Sequence, residues 1–120
     1  MLLCVREPER GTMRSVADDF VFSDQWWDLR GTDAADEQRR RDLERELRVE
    51  LTDGHPLFGT DAIAVAACSH CDDVIFRLDD QRFAVVHLVW QGQQVPPWPD
   101  SGVLGGWEAV ASYVAWHEIG

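Results

Sequence analysis

Residues 62–90 contain three runs of strand-forming residues, and these runs restrict the possible folds more than any other part of the chain. They cover residues 62–67, 73–78 and 82–90, in which β-branched and aromatic side chains dominate. Only the polar residues 79–81 separate the second run from the third. This spacing is typical of sequential antiparallel strands joined by short turns. The sequence therefore predicts a three-stranded antiparallel meander.

The length of the turn determines how the second and third strands pair. A loop of two or four residues pairs Leu78 with Phe83 and places Val74 opposite His87. In that register both faces of the hairpin carry mainly apolar side chains. We therefore expect helices on one side of the sheet, with the N-terminal aromatic segment or a second subunit covering part of the other. A homodimer through this exposed sheet face is one resulting expectation.

A helix is predicted before the meander, over residues 34–52. Thr32 or Asp33 can cap its first turn, and Gly54 can end it in a left-handed conformation. Leucines recur at every fourth position and form one apolar stripe, made of Leu43, Leu47 and Leu51. The helix therefore has one face that must pack against another element.

A second helix is predicted after Gly106, running to about residue 118. Its apolar positions have the spacing of one helix face and are Trp107, Val110, Ala111 and Val114. Residues 91–102 come before it and contain several prolines, which exclude a central strand or a helix interior, so we expect a loop there.

The N-terminal part of the chain shows no regular period. Residues 1–14 are predicted to form a loose leader, and residues 15–30 an acidic, aromatic segment that docks on the core as a short helix or irregular structure. The predicted fold class is α+β, in the order helix, three-stranded antiparallel β-meander, Pro-rich loop and C-terminal helix. Residues 32–120 are expected to form a single domain, preceded by an N-terminal segment of residues 1–31.

Charge excludes several classes of partner. The chain has 22 acidic and 11 basic residues, and its net charge is −11. Such a surface repels phosphate backbones and anionic lipid, so binding to nucleic acid or to a membrane is not expected. All the basic residues are Arg, with neither Lys nor Asn present, which indicates a GC-rich bacterial coding sequence. No apolar run approaches the ~18 residues of a membrane span, and we expect a cytoplasmic protein.

The stretch "CSHCDD" at residues 68–73 has the residue types of a metal or redox site. Structural zinc sites usually take their four ligands as two close pairs, and only Cys68 and Cys71 form such a pair here. The other possible ligands are scattered singly, namely Cys4, His55, His87 and His117. A redox Cys-x-x-Cys should open a helix, whereas this one precedes a strand. A zinc site made of Cys68, Cys71 and two of the histidines is an alternative. We expect instead a bend between two strands, with no bound zinc, no disulfide and no cofactor.

His87 interrupts the apolar run "FAVVHLVW", which makes it a candidate either for a core residue or for a functional one. In the predicted register Asp72 lies near it, and His55 follows the first helix. The candidate polar cluster is made of His55, Asp72, Asp73 and His87. A small hydrolase that uses this cluster is one functional hypothesis. A catalytic pair of Cys71 and His87 is a further alternative, without an oxyanion-hole signature to support it.

Two tryptophans suggest a different function. Trp90 ends the third predicted strand, and Trp98 lies between prolines in "PPWP". A rigid aromatic side chain on a preorganised loop loses little entropy on binding, although Trp98 can equally cover the core. The leading hypothesis is a non-catalytic protein-binding module of inhibitor, immunity or regulatory type, which contacts another protein through Trp90 and Trp98.

About half of the chain, "GHPLFG…CDDVIFRLDDQRFAVVHLVWQG…PPWP", resembles a family of small bacterial proteins to which no activity is assigned. The shared pattern is an acidic pair, a strand, a turn and a Val-His-Leu strand that ends in an aromatic residue. The resemblance implies a common helix and sheet core but no catalytic residue. The positions that match the pattern are His55, Asp72, Asp73, His87, Trp90 and Trp98. Cys68 and the first thirty residues lie outside it.

Overall fold

The structure is a computed structural model that describes residues 20–78 and 82–119, and it has an α+β fold. The elements are β1 (Trp26–Asp28), α1 (Ala34–Glu50), β2 (Ile63–Cys68), β3 (Asp73–Arg77), β4 (Phe83–His87), β5 (Asp100–Leu104) and α2 (Trp107–Ile119). The five strands form one antiparallel sheet, in which their spatial order is their order in the chain. No helix in the described ranges is long and apolar enough to cross a bilayer. Residues 1–19 of the predicted leader and residues 79–81 of the predicted turn lie outside the described residues.

Helix α1 forms where the sequence predicts it, because its N-cap residue and its apolar stripe both indicate the same helical segment. Asp33 is the N-cap, and its carboxylate accepts the backbone N–H groups of Ala35 at 3.0 Å and Asp36 at 3.3 Å. The helix ends at Glu50, slightly earlier than predicted, and Leu51 is its C-cap. The predicted stripe is buried, as Leu43, Leu47 and Leu51 are 1%, 2% and 7% exposed.

The predicted register of the β3–β4 hairpin is wrong by one residue. Arg77, not Leu78, pairs with Phe83, so an odd number of residues connects the two strands. The backbone N–H of Leu78 donates to the carbonyl of Arg82 at 2.7 Å and closes this connection. Because side chains alternate along a strand, the one-residue shift exchanges the neighbours of every side chain. Asp73, rather than Val74, therefore lies opposite His87.

The sheet has a hydrophobic core on each face. One core lies under α1 and includes Leu43, Leu47, Val74, Phe76, Ala84 and Val86. The other lies under α2 and includes Phe22, Trp26, Ile75, Phe83, Val110 and Val114. The expectation that both helices lie on one side is therefore wrong, since α2 lies on the second face. The N-terminal aromatic residues cover part of that face, as expected. Such two-sided burial explains why both faces of the hairpin are apolar.

Two strands were not expected from the sequence, and both lie at edges of the sheet. The short β1 pairs with β2 in the segment predicted to be helical or irregular. Strand β5 pairs with β4 and begins directly after Pro99, within the predicted loop of residues 91–102. Proline excludes a strand only up to Pro99, and an edge strand that is mostly exposed has no alternating apolar pattern. Pairing with the neighbouring strand, rather than side-chain pattern, therefore determines these two strands.

Candidate functional site

A bend at residues 69–72 brings the two central cysteines together. Cys68 is the last residue of β2 and is buried, while Cys71 lies in the bend and is exposed. The backbone N–H of Ser69 donates to the carbonyl of Gln25 at 2.8 Å, and that of His70 lies 3.4 Å from the Cys68 sulfur. The predicted bend is thus present. Because the chain turns here, the two thiols do not diverge as they would along a regular strand.

The last turn of α2 adds a histidine to this thiol pair. His117 Nε2 lies 3.6 Å from Cys71 Sγ and 3.4 Å from Asp73 Oδ2. The Sγ atoms of Cys68 and Cys71 and a ring nitrogen of His117 all lie within 4.8 Å of one another. The His117 ring packs against Trp26, with 5.0 Å between the ring centroids, and this contact holds it over the bend. We call Cys68, Cys71 and His117 the thiol–imidazole triad.

The environment keeps the Cys71 thiol protonated. Partial loss of hydration at the sulfur, a hydrogen bond with Cys68 and the Asp73 charge raise the pKa of Cys71 to about 12, although a backbone hydrogen bond from Asp73 acts in the opposite direction. A thiol with such a pKa has very little thiolate at neutral pH. The raised pKa of Cys71 therefore argues against this thiol as a nucleophile or a redox group.

Asp73 links the triad to His87. Its Oδ1 lies 2.8 Å from His87 Nδ1, and its Oδ2 accepts a hydrogen bond from the hydroxyl of Tyr113 at 3.1 Å. Burial, and then the charge of Asp73, raise the pKa of Tyr113, so its phenol remains a donor. The His87 side chain is 54% exposed, which places its second nitrogen near solvent. The carboxylate therefore orients one exposed imidazole and lies beside another that faces the thiols.

Two shallow pockets meet at Asp73 and Trp116. The first has a volume of about 400 Å³ and is lined by the triad together with Gln25, His70 and Asp73. The second has a volume of about 350 Å³ and is lined by His87, Ser101 and Tyr113 among others. Ligand-sized concavities with a few convergent polar groups are the usual places for binding. This end of the sheet therefore offers room for a bound group beside the triad.

The other members of the predicted polar cluster have different surroundings. His55 is 4% exposed, its Nδ1 accepts the N–H of Leu57 at 3.0 Å, and its Nε2 lies 2.8 Å from the carbonyl of Pro99. Both ring nitrogens are thus used in holding loops together. Asp72 is exposed, and its carbonyl accepts the N–H of Leu88 at 3.1 Å. Neither residue lines the pocket beside His87.

Trp90 and Trp98 lie on a loop that is attached to the end of α1. The buried Glu50 carboxylate accepts the backbone N–H groups of Val89 at 3.0 Å and Trp90 at 2.7 Å. Trp90 has a φ of 63°, a left-handed conformation that is costly for a bulky residue. Both tryptophan side chains extend into solvent, with exposures of 42% and 54%. We call residues 89–99 the tryptophan loop.

Sequence reasoning missed the importance of His117, Tyr113 and Glu50. His117 is one of the possible zinc ligands in the sequence, but 46 residues separate it from Cys71. Tyr113 lies one turn before it on α2 and carries no motif. Glu50 reads as a solvated residue at the end of a charged helix, yet it is fully buried. No local signal identifies these roles, since each depends on a segment distant in the chain.

Comparison with known proteins adds no constraint to this geometry. No protein family matches the chain, and no curated protein or solved structure is significantly similar to it. The resemblance to a family of small bacterial proteins remains a prediction from the quoted motif. Any assignment of function therefore rests on the triad, on the Asp73–His87 pair and on the tryptophan loop.

Proposed function

We propose that the protein is a non-catalytic protein-binding module that contacts its partner through the tryptophan loop. The observation that carries the proposal is the anchoring of an exposed aromatic loop by a buried carboxylate. Tryptophan is among the residues most enriched in the energetically dominant positions of interfaces. Here Trp90 and Trp98 lie on one short segment and are both exposed. Neither belongs to the hydrophobic cores of the described residues.

The N-terminal end of the loop is anchored by Glu50. Its carboxylate binds the N–H groups of both Val89 and Trp90, and its side chain is entirely shielded from water. These bonds offset the left-handed backbone of Trp90, a conformation that costs about 1–3 kcal/mol and persists only where the surroundings enforce it. Such enforced strain is common at binding surfaces, and it supports a role for this tryptophan.

Three further hydrogen bonds restrain the rest of the loop. The N–H of Gln94 donates to the Glu50 carbonyl at 3.1 Å, and the hydroxyl of Thr52 donates to the Gln94 carbonyl at 2.8 Å. The ring of His55 binds the carbonyl of Pro99 at the far end. A loop that is already ordered loses little conformational entropy on association, so more of its contact energy remains as affinity.

The charge of the molecule indicates the kind of partner. With a net charge of −11, the protein attracts surfaces rich in Lys and Arg and is repelled by acidic ones. Complementary charge speeds encounter, while the aromatic loop supplies the buried contact. We therefore propose a protein partner with a basic surface around an apolar pocket, and neither nucleic acid nor membrane.

Affinity capture from the source cell tests the proposal, followed by titration of the recovered partner. Trp98→Ala is expected to weaken binding at least about 30-fold, the effect of losing an interface residue worth about 2 kcal/mol. Trp116→Ala is the matched control, because Trp116 is 69% exposed but lies on α2. Equal binding by wild type, Trp90→Ala and Trp98→Ala would contradict the proposal.

A hydrolase is the second candidate, and the Asp73–His87 hydrogen bond favours it. A carboxylate that orients an exposed imidazole is the base half of a nucleophile–base arrangement, and Ser101 lines the same pocket. A panel of ester and amide substrates tests this candidate. Turnover that His87→Ala removes supports a hydrolase, whereas turnover that survives the substitution excludes His87 as the base.

A further inference from the structure

We propose that Cys68, Cys71 and His117 bind one zinc ion, with a fourth coordination position open to the adjoining pocket. The site is independent of the tryptophan loop and lies at the end of β2. It also revises the expectation from sequence that no zinc binds here. That expectation depended on the other possible ligands being scattered along the chain, and α2 removes this obstacle by bringing His117 to the bend.

The distances fit a tetrahedral site. With Zn–S bonds of about 2.3 Å and Zn–N bonds of about 2.0 Å, neighbouring ligand atoms lie about 3.8 Å apart for two sulfurs and about 3.5 Å apart for sulfur and nitrogen. The distance from Cys71 Sγ to His117 Nε2 is 3.6 Å. The widest separation within the triad is below 4.8 Å, so closure on an ion needs a shift of about 1 Å or less.

A backbone hydrogen bond already reaches one of the two sulfurs. The N–H of His70 lies 3.4 Å from the Cys68 sulfur and donates to it. Such bonds orient thiolate ligands and spread their charge. Zinc binds thiolates, so binding of the ion at this site releases the thiol protons.

The imidazole is also held in a suitable orientation. Its Nε2 faces both Cys71 and Asp73, while its Nδ1 is buried and has no hydrogen-bond partner among the described residues. When Nδ1 carries the proton, the lone pair of Nε2 points toward the sulfurs, as metal binding requires. Contacts with Trp26 and Tyr113, at 5.0 and 5.5 Å between ring centroids, restrain the ring.

The residue types of the three ligands favour zinc over magnesium and calcium. Two thiolates and an imidazole suit zinc, whereas magnesium and calcium prefer oxygen ligands. Asp73 already binds His87 and Tyr113, so we assign the fourth position to water or to a small ligand from the pocket rather than to this carboxylate. Three protein ligands with an open position form a site that can bind or polarise a further group.

Titration of the reduced, full-length chain with Co²⁺, followed by displacement with Zn²⁺, tests the site. We expect one equivalent of tetrahedral Co²⁺, with thiolate charge-transfer absorption, and its displacement by one equivalent of Zn²⁺ with a Kd below about 1 μM. Cys71→Ser and His117→Ala are expected to weaken zinc binding at least about 100-fold, more than loss of an outer-shell contact does. Cys4→Ser is the matched control and should bind as wild type does.

Circular dichroism of each variant separates lost ligation from lost folding, and Cys71 is an exposed position at which serine is nearly isosteric. A folded Cys71→Ser protein that binds zinc as tightly as wild type would overturn the site. Absence of saturable thiolate absorption in the wild-type titration would overturn it as well, as would equal loss of binding in Cys4→Ser.

Discussion

At the scale of single residues, Glu50 does most to connect the fold with the proposed binding surface. It lies at the end of α1, is fully buried and holds the backbone of Val89 and Trp90. A buried charge is tolerated only where hydrogen bonds replace its hydration. The helix terminus and the tryptophan loop therefore depend on the same carboxylate.

Glu50→Ala is expected to lower the free energy of unfolding by about 3 kcal/mol, because it removes the charge-assisted hydrogen bonds to the N–H groups of Val89 and Trp90. Urea unfolding measures this loss. Glu37→Ala, on the exposed part of α1, should change stability by about 0.5 kcal/mol or less. If the two substitutions cost the same, Glu50 does not anchor the loop as described.

Glu46 makes stability depend on pH. Its hydrogen bond with Glu50, its burial and the Glu50 charge raise the pKa of Glu46 from 4.5 to about 7, against a small opposing effect of Arg45. The folded protein thus binds this proton more tightly than the unfolded chain does. Its contribution to stability is fully present below about pH 4.5 and is lost as the pH rises through about 7.

Glu46→Gln should therefore flatten the pH profile of stability. The free energy of unfolding of the wild type contains a component that falls between about pH 5 and about pH 8, and the variant should lack it. Urea midpoints across this range provide the measurement, with Glu37→Gln as the control that keeps the component. An unchanged slope in Glu46→Gln would assign the pH dependence to other groups.

At the scale of elements, helix ends and strand connections determine what the site contains. The odd-numbered connection between β3 and β4 places Asp73 opposite His87. The bend after β2 turns Cys71 toward Cys68, and the length of α2 brings His117 to the same place. A one-residue change in any of these elements rotates a side chain away from the cluster.

The N-cap of α1 can be tested on its own. Asp33→Ala removes the acceptor for the N–H groups of Ala35 and Asp36 and should cost about 1 kcal/mol of stability. Asp33→Ser should recover most of this loss, since serine also caps well. Equal midpoints of urea unfolding for wild type and Asp33→Ala would mean that other contacts position this helix start.

At the scale of the whole molecule, the two proposed sites belong to separate parts of the sheet. The tryptophan loop is bound to α1, whereas the triad joins β2, the following bend and α2. Helices cover both faces of the sheet, and β5 lies at an edge. The homodimer through a sheet face and the cytoplasmic location both remain predictions.

Zinc should stabilise the whole fold, because it ties the last turn of α2 to the sheet. At a free concentration of 100 times Kd, an ion that binds only the folded state adds about 2.7 kcal/mol, or roughly 10 °C in Tm for a domain of this size. Thermal unfolding with and without zinc measures the shift. The increase should disappear in Cys71→Ser, and a similar increase in that variant would indicate binding elsewhere.

A substitution at either proposed site should leave binding at the other site unchanged. Trp98→Ala is expected to bind zinc as wild type does, and Cys71→Ser is expected to keep its partner affinity within about twofold, since distant substitutions without shared partners have additive effects. Parallel metal and partner titrations check this. Loss of both functions in either variant would point to a single coupled surface.

The helices and three of the five strands are predictable from the sequence, because their signals are local. The cap at Asp33 with the leucine stripe defines α1, the spacing of Val110 and Val114 defines α2, and the apolar runs define β2, β3 and β4. The edge strands β1 and β5, the register of β3 with β4 and the burial of Glu50 are evident only in the folded protein. The same is true of the approach of His117 to Cys71. The physical reason is that pairing, burial and ligand convergence depend on free energies shared between residues far apart in the chain, which no local period records.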